Sequence, residues 1–281
     1  MESGIGLHIA QDLARRRARV ILACRSEERG RKAEREIRRC TGNGQVHFRL
    51  LDTSSMRSVR AFAQRVREEE QRLDILVNNA AASGLLPAVT AEGLELTIAT
   101  NYLGPFLLTN LLLDLVKKSP AARIINVSSM NHRRGEVNLR QMRGEDMGTA
   151  RNDQLYNNTK LMNVLFTHKL ATPLQHPGVT VNAVHPGVVV TEIMRNYGLL
   201  LRIIFNLIGF SFFKSAEEGA VSPIYCSVSQ EMEGVSGKYI DSDCSLCLPS
   251  PSAQDLRLAT KLWDVSSSLT GLEMKGRGET E

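Results

Sequence analysis

The chain has 281 residues, 42% of them hydrophobic and 23% charged, with a formal net charge of +5 and a pI of about 9.0. This is ordinary globular composition, long enough for one or two domains and able to bury one large core. The basic excess sits in "ARRRAR" and "RSEERGRKAEREIRR", where interleaved glutamates mark solvated helix surfaces. No aromatic residues interleave these runs, so nucleic acid is not expected as a partner.

Read in chain order, short apolar runs alternate with longer amphipathic segments, the pattern of βαβ units and a parallel sheet. The opening "MESGIG" holds Gly4 and Gly6 in the arrangement of a strand-to-helix turn around a phosphate, yet only three residues precede Gly4. A helix is predicted from Ile9 to Arg17. A buried strand follows from Ala18 to Cys24, and the next, "VHFRLLD", closes at Asp52. Met56 to Gln71 reads as a helix, and "DILVNNAA" from Asp74 as the third strand. "LELTIATNYLGPFLLTNLLLDLVKK" is a long helix with Pro105 inside it. "RIINVSS" is the fourth strand, Leu155 to Leu174 a helix, "VTVNAVHPG" the fifth strand and "GKYID" a last one.

The polar and turn residues cluster after successive strands: Arg25, Asp52, the Asn78–Asn79 pair, the Ser128–Ser129 pair, and Pro186 with Gly187. Doubly wound parallel sheets bind ligands along that carboxyl edge.

The stretch from Gly198 to Phe213, "GLLLRIIFNLIGFSFF", is the most apolar in the chain. It is shorter than the ~20 residues of a spanning helix, and Arg202 interrupts it. It reads as a flap over an apolar pocket or as a helix lying on a membrane. No signal-peptide run opens the chain. The five cysteines, Cys24, Cys40, Cys226, Cys244 and Cys247, are odd in number and irregularly spaced, which favours reduced thiols. Cys244 and Cys247 form a single C-x-x-C with no second pair, so no metal site is expected. The C-terminal end, from 266 to 281, is expected to be a disordered tail.

"LYNNTK" places Tyr156 and Lys160 four apart in a helical segment, one above the other on one face. A free phenol titrates near 10, too high for easy proton exchange at neutral pH. An adjacent ammonium favours the phenolate, so Tyr156 is expected to be acidified and to serve as general acid or base. Ser129, at the end of the preceding strand, can hydrogen-bond a substrate carbonyl beside it. Asn101 sits within the long helix, where an amide is a mediocre helix former.

These stretches resemble the short-chain dehydrogenase/reductase family, and in particular its microsomal retinol dehydrogenase branch. The resemblance is carried by "SGIG", "ACRSEERG", "LDTSSMRSVRAFA", "LDILVNNAA", "TNYLGPFLLTNLLL", "RIINVSS", "YNNTKLMNVLFTHKLA", "VNAVHPGVVVTE" and "KLWDVS", in order over nearly the whole chain. It implies an α/β fold, a Rossmann-like doubly wound parallel sheet flanked by helices, in a single domain over 1–265 with a substrate flap at about 192–215. It implies Tyr156 as proton donor and acceptor, Lys160 on the nicotinamide ribose, Ser129 on the carbonyl, and Asn101 holding a water in a proton relay. The cofactor would be held by Ser3, Gly4, Ile5, Gly6, Arg25, Asp52, Thr53, Asn79, Ala80, Ala81, Tyr156, Lys160, Pro186, Gly187, Val188 and Thr191. Arg25, where an acidic residue would take a ribose 2′-hydroxyl, favours NADP(H) over NAD(H).

The implied reaction interconverts a small lipophilic alcohol and its carbonyl, with retinol and retinaldehyde leading and a steroid or lipid-derived carbonyl as alternative. The resemblance further implies association with the endoplasmic reticulum membrane and allows a homodimer and peripheral membrane contact. No anchor is visible in this chain, which leaves a cytosolic location open.

Two departures from the family pattern stand out. Ala81 replaces a glycine, adding a methyl where the backbone approaches the cofactor. The first strand and its Thr-Gly pair are also absent. In strand order 3-2-1-4-5-6 that strand is central. Four or five buried apolar side chains at about 1.5–3 kcal/mol each amount to roughly 6–15 kcal/mol, comparable with a whole domain's stability of about 5–15 kcal/mol. The sequence therefore reads as a truncated form, expected to fold poorly and bind cofactor weakly. The alternative function is a catalytically impaired isoform with no turnover.

Overall fold

The computed structural model describes residues 4–145, 152–172, 178–189, 196–198 and 213–272. Seven strands are present among them: β1 (Val20–Cys24), β2 (Val46–Leu50), β3 (Ile75–Asn78), β4 (Ala122–Val127), β5 (Val179–Val184), β6 (Tyr239–Ile240) and β7 (Leu246–Cys247). The principal helices are α1 (Ile5–Arg15), α2 (Glu27–Thr41), α3 (Met56–Glu69), α4 (Leu96–Val116), α5 (Asn152–Ala171), α6 (Ala216–Val228) and α7 (Leu256–Thr270).

Helices cover both faces of the strands. On one face α1 packs against α2 and α6; on the other α3 packs against α4, and α5 against α7. β4 and β5 are buried at nearly every position, as parallel strands covered on both sides must be. α4 is long and apolar enough to cross a membrane by composition, but it is largely buried here, with Tyr102, Phe106 and Leu107 in the main core.

The sheet is split. β1 pairs in parallel with β2, and β3, β4, β5 and β6 pair in parallel with one another, with β7 antiparallel at the end. No strand among the described residues joins β1 to β3. In consequence β3, the apolar run Ile75-Leu76-Val77, is half-buried at every position instead of buried. Where the family pattern calls for a central strand, the described residues leave an open slot between two sheet edges.

Three boundaries differ from the sequence reading. α1 begins at Ile5, not Ile9, because the glycine turn is itself the first turn of the helix. Gly4 is the N-cap with φ 99°, a conformation that favours glycine. The tail expected from 266 is ordered helix as far as Thr270: Ser266 is fully buried and shares a 2.9 Å hydrogen bond with Tyr102. Trp263 packs 5.1 Å from Phe106 and 5.9 Å from Phe166, which holds α7 on the core, and Gly271 closes it in a left-handed cap. β7 was not expected; two residues carry too little periodicity to read. The proposed flap at 192–215 lies mostly outside the described residues, as do Ser3 and Thr191.

α4 is not uniform. Ala99–Leu103 is wound as a π-helix, a feature frequent at functional sites. Pro105 follows, and without an N–H it cannot donate to the carbonyl four residues back, that of Asn101.

Candidate active site

Ser129 follows β4, and Tyr156 and Lys160 lie one turn apart on α5. Ser129 bears on the Tyr156 phenol, opposing the effect of burial on it, and its hydroxyl accepts from the Asn131 N–H at 3.2 Å. The Lys160 ammonium lies 5.3 Å from the Tyr156 ring centre and donates to the Val127 carbonyl at 2.8 Å. The two neighbouring serines separate in role: Ser128 is buried and donates to the Lys160 carbonyl, pinning α5 to the strand end, while Ser129 is left facing the phenol.

The electrostatics correct one expectation. Tyr156 is not acidified by its lysine. Burial pushes its phenol up to about 12; the Ser129 hydrogen bond opposes this, and nearby Tyr197 adds to it. Lys160 itself is pushed down to about 8 by burial. At neutral pH the phenol therefore carries its proton and the lysine its charge. The ammonium is committed to a carbonyl and sits over the ring, not on the phenol oxygen.

The depressed lysine has a consequence for stability. Between pH 8 and the ordinary lysine value of 10.5, the unfolded chain binds the proton and the folded chain has lost it, so stability rises with pH there. Each tenfold change in proton affinity is worth about 1.4 kcal/mol, so the urea stability of wild type relative to Lys160→Met should rise by about 2–3 kcal/mol from pH 7.5 to 10. The raised phenol of Tyr156 acts in the opposite sense only above pH 10. A difference that stays flat over that range would show that Lys160 is not held against its charge.

A cavity runs along the strand ends and between β1 and β3. Its volume is about 1020 Å³, and it is lined by Gly4, Ile5 and Gly6 at the start of α1, by Arg25 after β1, by Asp52 and Thr53 after β2, and by Asn79, Ala80 and Ala81 after β3. The N-terminus of α1 aims backbone N–H groups at this space, a setting suited to a pyrophosphate. Asp52 uses one carboxylate oxygen to accept from the Ser54 backbone and hydroxyl, which fixes the turn. Arg25 is exposed and makes no ion pair among the described residues. Ala81 causes no backbone strain: the non-glycine residues with positive φ are Arg17 and Cys244. These groups fit a dinucleotide.

Asn101 joins the two halves. Its amide oxygen accepts from the Ala82 N–H at 2.8 Å, and its amide nitrogen donates to the Ala82 carbonyl at 2.8 Å and to Thr159 at 3.2 Å. The side chain clamps the loop after β3 to α5 and has no donor to spare for a relay water.

Pro186 is buried after β5, and Gly187 has φ 91°, with Lys214 Cδ 2.9 Å from where a side chain would begin. Val188 is 40% exposed. None of these three lines the cavity.

The sequence reading missed His185, although it lies in the quoted "VHPG". Its Nδ1 accepts from Met130 at 3.2 Å and Gly187 at 3.3 Å, sewing the Ser129 loop to the Pro186–Gly187 loop. Burial holds it near 4, so it stays neutral and able to accept. Also missed was Tyr197, whose hydroxyl bonds Ser83 at 2.7 Å and donates to Asp153. A lone tyrosine beside an apolar run gave no signal.

Gly104 in α4 tests how the cleft is supported. A Cβ there would strike the backbone carbonyl of Thr53, which lines the cofactor cavity. Gly104→Ala is expected to cost about 1–3 kcal/mol by overpacking and to weaken dinucleotide binding by displacing the Asp52–Thr53 turn. Thermal melting and a dinucleotide titration would check both. An unchanged titration would separate Gly104 from the cleft.

Fold and cavity together fit a nicotinamide-dinucleotide oxidoreductase. Comparison with known proteins gives the family: a model of the short chain dehydrogenases matches residues 1–199. Mouse retinol dehydrogenase 11 is 43% identical over 270 residues, covering 96% of this chain and 84% of that protein. Human retinol dehydrogenase 14 is 41% identical over 285 residues, with the same coverage. Among solved structures, an uncharacterized protein from Mycobacterium paratuberculosis superposes with a TM-score of 0.75 at 31% identity, covering 96% of this chain and 90% of that one. The chain belongs to the short-chain dehydrogenase family and is an oxidoreductase acting on alcohol or carbonyl groups.

Proposed function

We propose that the chain reduces a lipophilic carbonyl with NADPH, with retinaldehyde as the first candidate substrate, and that it can run the reverse oxidation. The observation that carries the reading is the Tyr156–Lys160 pair, with the ammonium 5.3 Å from the ring centre and held by the carbonyl of Val127 at the end of β4. When bound, the reduced nicotinamide supplies the hydride to the carbonyl carbon. Ser129 donates a hydrogen bond to the carbonyl oxygen and orients it. Tyr156, protonated at neutral pH, delivers its proton to the same oxygen, giving the alcohol. Lys160 holds the ribose and offsets the charge left on the phenolate. Asn101 positions the loop after β3 and presents its backbone carbonyl to the water that returns a proton.

Arg25 supports NADP(H), since a free guanidinium at the end of β1 is placed to pair with a 2′-phosphate. Likeness to the retinol dehydrogenases supports a retinoid; a steroid or lipid aldehyde is the alternative substrate. A substrate of this kind is drawn from a bilayer, which fits a place at the endoplasmic reticulum membrane. The test is NADPH consumption with retinaldehyde, with retinol identified as product. Consumption without retinol, or with polar aldehydes only, would overturn the substrate. A second reading, an impaired form without turnover, is favoured by the open slot between β1 and β3; absence of turnover with every carbonyl offered would select it.

A further inference from the structure

A histidine three residues further on holds the loop that carries Ser129. The chain leaves β4 at Val127 and winds into a short 3-10 stretch, Met130–Arg134, with Ser129 as its N-cap. The Ser129 hydroxyl oxygen accepts from the Asn131 N–H at 3.2 Å, which leaves its own hydrogen available for donation. The Ser129 carbonyl accepts twice from His132, from the main-chain N–H at 3.0 Å and from ring Nδ1 at 2.7 Å.

His132 is fully buried, and its contacts allow one tautomer. The Ser250 N–H donates to Nε2 at 3.1 Å, so Nε2 holds the lone pair and Nδ1 the hydrogen. The ring lies 4.7 Å from the Tyr239 ring of β6. Burial pushes its titration down, which keeps it neutral and able to accept from Ser250. The segment it leans on is itself anchored. Arg133 donates to the Leu248 carbonyl at 2.9 Å, and His168 of α5 donates to the Ala253 carbonyl at 2.9 Å. α5 also carries Tyr156 and Lys160. One brace therefore runs from Ser129 through His132 and the 250–253 turn to the helix that bears the phenol.

We propose that His132 is a positioning residue for the reduction: its Nδ1–H fixes the main chain of Ser129, and with it the direction from which the serine hydroxyl reaches a substrate carbonyl. The ring does not line the cavity, so it acts through Ser129 alone, while Ser250 and Tyr239 keep it in place. The inference rests on the proposed reaction only for the oxygen that Ser129 addresses.

Two substitutions divide the two contacts of the ring. The amide of His132→Asn takes the place of Nδ1 and can still donate to the Ser129 carbonyl. The longer side chain of His132→Gln reaches Ser250 and gives up Ser129. His132→Gln is expected to lower kcat for retinaldehyde reduction by about 10- to 100-fold, the scale of a misplacement of about 1 Å, with NADPH affinity within about threefold of wild type. His132→Asn should keep kcat within about threefold. Introduced into Ser129→Ala, His132→Gln should cost less than about twofold further. Amide exchange needs no turnover: relative to wild type it should quicken at Asn131 in His132→Gln only, and at Ser250 in His132→Asn only. Equal loss of kcat in both variants, or a full further loss in the Ser129→Ala background, would overturn the proposal by reducing His132 to a stabilising core residue. Should the wild type reduce no carbonyl, the proposed reaction fails and the exchange pattern decides on His132 by itself: equal rates at Asn131 in the two variants would overturn its hold on Ser129.

Discussion

Tyr156→Phe is expected to lower kcat/KM for carbonyl reduction by about 10²- to 10⁴-fold, the range that general acid catalysis contributes. The loss should fall on kcat, because in the proposed reaction the phenol oxygen acts on the carbonyl, while the cavity proposed for the dinucleotide is lined by other residues. Dinucleotide affinity should stay within about threefold of wild type. The substitution also removes the partner of the Ser129 hydroxyl, so Ser129→Ala combined with Tyr156→Phe should cost little beyond Tyr156→Phe alone: the two groups act as a unit on one oxygen. Steady-state NADPH oxidation with retinaldehyde gives the rates, and quenching of protein fluorescence gives the affinity. Turnover that survives the substitution would remove Tyr156 from the chemistry. Equal absence in both proteins would select the impaired reading.

Arg25→Glu is expected to exchange the cofactor preference. A charge-assisted contact between guanidinium and phosphate is worth about 1.5–3 kcal/mol, which converts to a loss of roughly 10- to 150-fold in NADPH affinity. A carboxylate in its place adds repulsion of the 2′-phosphate and can accept from a ribose 2′-hydroxyl, so NADH affinity should hold or improve. The position tolerates the change: Arg25 is exposed and carries no ion pair among the described residues, so folding should not suffer. Parallel titrations with the two reduced dinucleotides read the ratio. A ratio that does not move would dissociate Arg25 from the 2′-position and return the cofactor to NAD(H).

Much of the site was legible because its residues are fixed by local pattern. A four-residue spacing on a helix places Tyr156 above Lys160 whatever surrounds them, and apolar runs ending in Arg25, Asp52, Asn79 and Ser129 declare a carboxyl edge. What lay beyond pattern were long-range partners. Nothing near Asn101 in the chain announces that its amide will clamp Ala82 and Thr159. Nothing near His185 shows that it will accept from Met130. The reading placed residues from 266 onward in a tail, yet Ser266 is buried against Tyr102, a partner far away along the sequence.

The sequence by itself pointed to the family by resemblance, and supplied the order of the first six strands and the candidate residues Ser129, Tyr156 and Lys160. Only the tertiary structure decided the protonation of the pair. Burial outweighs the lysine's proximity, so the phenol is raised to about 12 and the ammonium lowered to about 8. It also decided which side chains line the gap that the absent central strand leaves in the sheet. The reason is common to both: desolvation and unpaired edges depend on what packs around a group in space, which no stretch of sequence carries.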